Sequence, residues 1–302
     1  MSGATQRQRR YAQLGILLGP VSLFLAIFFL CPLAIMMIYS VLTPGLYGGA
    51  EWAFYPDNFG RILGFANPEF EVFDPVYLSI FLRSLRIALT TVAITLVVCY
   101  PAAFQVSRLP DRWKTFALFL ITLPFFASLI VRLFVWVLIL KKTGFANMVL
   151  QSLGIISEPA DLIYTEGAII LGMVYIFIPF MFLPVYASVE KLDWSLVRAS
   201  QDLGANGFQT FWRVIFPLTL PGVIGGSIIV FIPALGNFIV PAVLGGAKVM
   251  MLGNLIEQQF LSARNWPFGA ALAMLVMAAV LFILFFYIRL EGRRGDDAPA
   301  LR

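Results

Sequence analysis

The sequence has no histidine, and only 12% of its 302 residues are charged. The missing histidine removes the commonest metal ligand and neutral-pH general base. An enzyme built on this chain would lack its usual players. The two cysteines, Cys31 and Cys99, both fall in long apolar runs, so a disulfide is not their expected role, and no metal-ligand spacing is present. There is no nucleotide-binding P-loop, no nucleophile elbow and no internal repeat. Acidic residues are missing from the interior of every long apolar run. That argues against a self-sufficient carrier or channel that couples to protons through an intramembrane acid, and against a membrane-embedded enzyme using paired carboxylates.

What the chain has is apolar length. Hydrophobic residues make up 60% of it, a membrane composition. A helix needs roughly 20 apolar residues to cross a hydrocarbon core about 30 Å thick. Six runs qualify: Leu14–Leu42, Leu78–Val106, Phe116–Leu140, Ala168–Val189, Gly222–Leu244 and Phe268–Leu290. Backbone polar groups must be satisfied inside lipid, so these runs are expected to be helices, giving an all-α integral membrane protein with six spans. The first run is preceded by the basic stretch around Arg7, Arg9 and Arg10 and exceeds a cleaved leader in length, which predicts an uncleaved first span kinked at Pro20 and Pro32.

The net charge of +5 needs no nucleic acid to explain it. With the N-terminus inside, 13 of the 21 lysines and arginines fall on cytosolic segments and their borders and 7 on outer ones, while Arg132, deep in a run, belongs to neither side. The bias places both termini in the cytosol. Thr43–Val76 then lies outside, with Glu51, Asp57, Glu69, Glu71 and Asp74 against Arg61. It reads as an ordinary solvated loop or as an acidic surface for a binding protein or cationic solute. A short amphipathic helix is expected over Phe145–Leu153, and a polar, disordered tail over Glu291–Arg302.

Two spans carry features that ordinary packing does not require. Arg132, near Trp136 in the third span, is costly at that depth and should face a cavity or a partner. It reads either as a packing contact to an acid or carbonyl, or as a gate. The fifth span contains Pro233-Ala234-Leu235-Gly236-Asn237 and then Pro241, which predicts a broken helix. Non-helical backbone at that depth is tolerated where it lines a cavity, so Asn237 and Phe238 are candidates for a translocation path. Tyr175 and Phe177 belong to an aromatic set in the proline-bent fourth span and are further candidates. Gly222, Gly225 and Gly226 predict close helix approach.

The most informative stretch is Glu190–Pro221, the longest polar interval between apolar runs. Two short amphipathic helix patterns flank Gly204, a residue suited to a helix C-terminus. In the first, Trp194, Val197 and Leu203 share a side. In the second, Phe208, Phe211, Trp212 and Ile215 form a stripe that Pro217 is expected to end. Arg198-Ala199-Ser200-Gln201-Asp202-Leu203-Gly204, nine residues, then Val214-Ile215-Phe216-Pro217 resembles the EAA loop of type I ABC importer permeases (MetI-like fold). Arg198 stands where that pattern has Glu, and Ser200 where it has Ala. Further stretches resemble the spermidine/putrescine branch: Leu123-Pro124-Phe125-Phe126, Phe231 to Gly236, Leu252-Gly253-Asn254 and Asn265-Trp266-Pro267-Phe268-Gly269.

The resemblance implies a transport subunit that hydrolyses nothing. It implies a second permease subunit, two cytosolic ATPase subunits that carry ATP and magnesium, and a periplasmic substrate-binding protein, in a bacterial inner membrane. Arg198, Ala199, Ser200, Asp202, Leu203, Gly204 and Pro217 would couple to the ATPase, and the solute would be a polyamine or similar organic amine. A different small solute is the alternative within the family. Residues 1–77 would hold the first span and outer loop, 78–290 the transmembrane core with its loop at 190–221, and 291–302 the tail.

Overall fold

The computed structural model describes residues 3–65 and 73–296, with side chains for 18–65, 73–285, 288 and 289. Glu69 and Glu71 of the expected acidic loop, the side chains of Arg7, Arg9, Arg10, Arg293 and Arg294, and Arg302 lie outside the described residues.

The chain divides into two units, Met1–Pro75 with Ile256–Leu281, and Val76–Leu255 with Phe282–Arg302. In the first, helix α1 (Gly3–Tyr39) contains Pro20 and Pro32 and leads into an antiparallel hairpin, β1 (Leu42–Pro44) and β2 (Ala50–Phe54). Helix α2 (Asp57–Ile62) follows. Asn58 of α2 is buried and its Nδ2 donates to the carbonyls of Ser40 and Leu42, which fixes the hairpin base against the end of α1. The interval after the first span therefore carries regular structure where it is described.

The second unit begins with α3 (Val76–Val106). Next come α4 (Asp111–Thr122), a 3₁₀ turn (Leu123–Phe126) and α5 (Leu129–Leu140). The short α6 (Phe145–Ser152) matches the expected amphipathic helix within one residue. Then follow α7 (Glu166–Glu190), α8 (Trp194–Asp202), α9 (Gly207–Thr210), a π turn (Phe211–Ile215) and α10 (Phe216–Leu235). The last helices are α11 (Ile239–Leu244), α12 (Leu252–Leu261) and α13 (Trp266–Asp296). The helical part of α13 reaches Asp296, so the expected disordered tail is helical over its first six positions; Glu291, Arg293 and Arg294 are good helix formers and simply extend the span.

Among the described residues five helices are long and apolar enough to cross a membrane, and a bent pair makes a sixth crossing if taken as one. That pair is the third apolar run. It was expected to be one helix over Phe116–Leu140, but it bends by 93° between Phe126 and Leu129. Pro124 has no amide hydrogen to give the helix, so the last turn tightens to 3₁₀, and Ala127 leaves it extended at ψ 141°.

The core of this unit is α3, α7 and α10 packed on one another. Ile87 and Cys99 of α3, Met181 and Val185 of α7, and Val230 and Leu235 of α10 are buried. Both cysteines are free. Gly222 and Gly226 of α10 let it approach α7 closely: a Cβ at Gly222 would lie 2.5 Å from the Pro184 carbonyl oxygen, and one at Gly226 2.9 Å from Met181 Sδ. Gly225 takes no part, since a Cβ there would meet nothing within 4 Å. Glu166 at the start of α7 pairs with both Arg83 and Arg86 of α3, while Glu190 at its other end accepts a 2.8 Å hydrogen bond from Lys114 of α4. The Gly222→Ala variant is expected to lose about 1–3 kcal/mol of stability through overpacking, and Gly225→Ala none. Thermal unfolding of the two purified variants checks the contrast.

Candidate functional site

The interval after α7 folds as a helix pair held at every end. Asp193 caps α8: its Oδ1 accepts from the Ser195 amide at 2.9 Å. That hydrogen bond, helped by the Ser195 hydroxyl and by Arg198, holds the Asp193 carboxyl below its ordinary value. The cap is therefore present at neutral pH and is lost as pH falls through that lowered value.

The other end of α8 closes in a Schellman motif. The Gly204 amide donates to Gln201 and the Ala205 amide to Ser200, with Gly204 at φ +85°. Two residues later Asn206 and Gln209 form a reciprocal capping box at the start of α9. Ser200 and Thr210 hydroxyls lie 3.0 Å apart and tie the two helices together.

The packing face is Leu192, Val197 and Ile215, with Phe104, Trp194 and Phe211 against them. Phe104 belongs to α3, so the pair rests on a membrane helix. Arg108 covers the seam, with its guanidinium 4.2 Å from the Phe104 ring and 4.8 Å from the Trp194 ring. Deeper in, the Tyr100 and Thr219 hydroxyls hydrogen-bond at 2.7 Å between α3 and α10.

The apolar patterning was partly misread. Val197 is buried, but Leu203, expected beside it, is 89% exposed, because it sits at the C-cap where the helix turns away. Phe211 and Ile215 face inward, whereas Phe208 and Trp212 are exposed. Pro217 does not end a helix. The helix runs unbroken from Gly207 to Leu235. The π turn at Phe211–Ile215 widens the coil just where a proline ring would clash with the carbonyl four residues back. The second helix of the pair, α9, is thus the start of the fifth span. Of the residues named from the loop pattern, Arg198, Ala199, Asp202, Leu203, Gly204 and Pro217 are exposed and Ser200 is half-buried. Phe208 and Trp212 of the expected stripe, and Leu196, join them as exposed apolar side chains.

The expected break in the fifth span is present. Helix α10 stops at Leu235, Asn237 Oδ1 accepts from the Val240 amide, and α11 begins. The break lies on α12: a Cβ at Gly253 would meet the Gly236 carbonyl oxygen at 2.5 Å, and Asn254 Nδ2 donates to the Phe238 carbonyl at 2.8 Å. Gly253 and Asn254 thus support the break, a role only a three-dimensional contact reveals. Phe238 itself is exposed.

Arg132 stands in the first turn of α5, just past the bend. Its guanidinium is 6.0 Å from the Tyr175 ring, and Trp136 meets the same ring edge-on at 5.6 Å. Its Nε is buried with no hydrogen-bond partner among the described residues. The expected acid or carbonyl contact at that atom is not made. Phe177 is buried against Phe180 rather than beside Tyr175, as a two-residue offset on a helix requires.

Comparison with known proteins agrees with this arrangement. The profile described as "Binding-protein-dependent transport system inner membrane component" matches residues 95–294. The chain is 38% identical over 277 residues to a Salmonella typhimurium protein named "Spermidine/putrescine transport system permease protein PotB", covering 91% of this chain and 93% of that one. The Escherichia coli protein of the same name is 38% identical, with 90% and 97% covered. Among solved structures, a bacterial alginate ABC transporter in complex with an alginate pentasaccharide-bound periplasmic protein superposes with a TM-score of 0.67 at 16% identity, covering 93% and 94%, a likeness of fold. The chain therefore belongs to the family of binding-protein-dependent transport system inner membrane components, as a multi-pass permease subunit and not an enzyme.

Proposed function

We propose that this subunit forms half of the path by which a spermidine- or putrescine-like polyamine enters the cell, driven by a separate ATPase through the knob of α8 and α9. The names of its relatives support the solute class. In this reading both termini are cytosolic, a second permease subunit completes the path, and a pair of ATPase subunits binds ATP and magnesium. The binding protein docks outside.

The observation that carries the coupling role is mechanical. The knob is capped at each helix end, seated on α3, and continuous with α10. A push on Arg198, Ala199, Ser200, Asp202, Leu203 or Gly204 would travel along one helix past Pro217 to the break at Gly236–Phe238. Leu203, Phe208 and Trp212 offer apolar anchors at the surface an ATPase cleft would grip. Arg198 in place of the family's Glu means that the grip here uses a reversed charge at that point.

The cation reading leans on aromatic faces. Trp136, Tyr175 and Phe238 could each contribute about 0.5–2 kcal/mol to a passing ammonium. No carboxylate lies mid-span in this chain, and Arg132 adds positive charge beside Tyr175. The balancing acid would then come from the second permease subunit or from the binding protein.

Gly204→Asp tests the coupling role: a Cβ there meets nothing within 4 Å, so the change acts through backbone strain at φ +85° in the turn itself, which aspartate tolerates better than most residues. In the reconstituted complex it is expected to leave ATP hydrolysis in place while lowering uptake roughly tenfold. Unchanged uptake per ATP would count against the coupling role. The solute class is tested by calorimetry on the partner binding protein: low-micromolar or tighter binding of spermidine or putrescine is expected, and binding of a neutral or anionic solute instead would overturn it.

A further inference from the structure

The hairpin of β1 and β2 carries four large apolar side chains in the open. Leu46 is 91% exposed, Tyr47 98%, Trp52 84% and Phe54 77%. Glu51 is the only charged residue between Thr43 and Tyr55. A surface this apolar is not the composition of a freely solvated loop.

Its two ends are fixed at one level. The base follows α1 directly, where the apolar span Leu18–Tyr39 ends, and the Tyr55 amide donates to the Val41 carbonyl at 2.7 Å. The tip is tied to the start of another span. The Gly49 amide donates to the Arg264 carbonyl at 2.9 Å, two residues before Trp266, where α13 enters its apolar length. Gly48 and Gly49 have φ of +97° and +81°, and a Cβ at Gly48 would lie 2.8 Å from Arg264 Cβ, so the turn is shaped for this contact. Tyr39 and Trp266, the two span ends, pair their rings at 6.3 Å and mark a common boundary.

A strand rises about 3.3 Å per residue, so an upright hairpin would carry its tip roughly 20 Å away from that boundary. The tie to Arg264 prevents this and holds the tip close to the start of the span at Trp266. We propose that the hairpin is a membrane-interface anchor, with Leu46, Tyr47, Trp52 and Phe54 embedded among the headgroups and upper acyl chains of the adjoining leaflet. Tyrosine and tryptophan favour that zone because their rings are apolar with one polar edge. The occupant is lipid because both ends of the hairpin are held at the ends of apolar spans, Leu18–Tyr39 and Trp266–Phe285, where the headgroup zone begins. This goes beyond the coupling and solute proposals and does not rest on either.

The test places the photo-cross-linker p-benzoylphenylalanine at position 47 and, separately, at position 52 of the full chain in the assembled transporter, in native membranes. Both sites are exposed enough to accept the bulk. After illumination, mass spectrometry is expected to find the subunit shifted by one phospholipid at each position, with the yield unchanged by saturating binding protein. Adducts to the binding protein or to another subunit would overturn the proposal and make the patch a protein dock. Absence of any adduct at both positions would also overturn it, since it would place the side chains in water.

Discussion

A helix pair transmits a push only if its ends cannot fray. In this protein every end of the knob is closed: Asp193 at the entry, the Schellman turn at Gly204, and the Asn206–Gln209 box beyond it. Each such cap typically contributes about 1 kcal/mol, and together they fix the angle between α8 and α9. The exit needs no cap at all, because α9 flows through the π turn into α10. Arg108, laid over Phe104 and Trp194, clamps the same pair to α3. The knob is thereby part of the α3–α7–α10 core and not an appendage to it.

The elements beyond the knob follow from that attachment. Helix α10 runs tightly against α7 because Gly222 and Gly226 remove the side chains that would hold them apart. It ends at a break supported by Gly253 and Asn254, and α11 beyond the break packs on α5 and α7, the helices that carry Arg132, Trp136 and Tyr175. A displacement of the knob therefore has a continuous set of packed elements between it and the arginine. Two buried polar atoms in this region, Arg132 Nε and Asn254 Oδ1, have no hydrogen-bond partner among the described residues.

Much of this was legible in the sequence, for identifiable reasons. Apolar length located the spans, since lipid permits little else. The cluster Pro233 to Asn237 announced the fifth-span break, and Gly204 the turn of the knob. Proline was the weak signal. Pro233 lies just before a real break and Pro124 produced a bend that hydropathy hid, yet Pro217 sits inside an unbroken helix because a π turn makes room for it. Whether a proline breaks, bends or is absorbed depends on neighbours that periodicity does not contain. The same limit applies to Leu203 and Phe208: their spacing suits a core face, but the C-cap geometry and the seating on Phe104 turn them outward. Asn254, Arg108 and the tie from Gly49 to Arg264 join residues distant in sequence or carry no local pattern.

The central claim is that the knob and α10 move as one stiff body when the ATPase acts. Electron-spin distance measurements in the reconstituted transporter test it most directly, with labels at Ser195 on α8 and Ile229 on α10, and in a second sample at Ser195 of this subunit and on the corresponding helix pair of the proposed second permease subunit. The account predicts that the first distance is the same in nucleotide-free and ATP-bound states while the second changes. A first distance that changes with nucleotide, or a second that stays fixed, would contradict it.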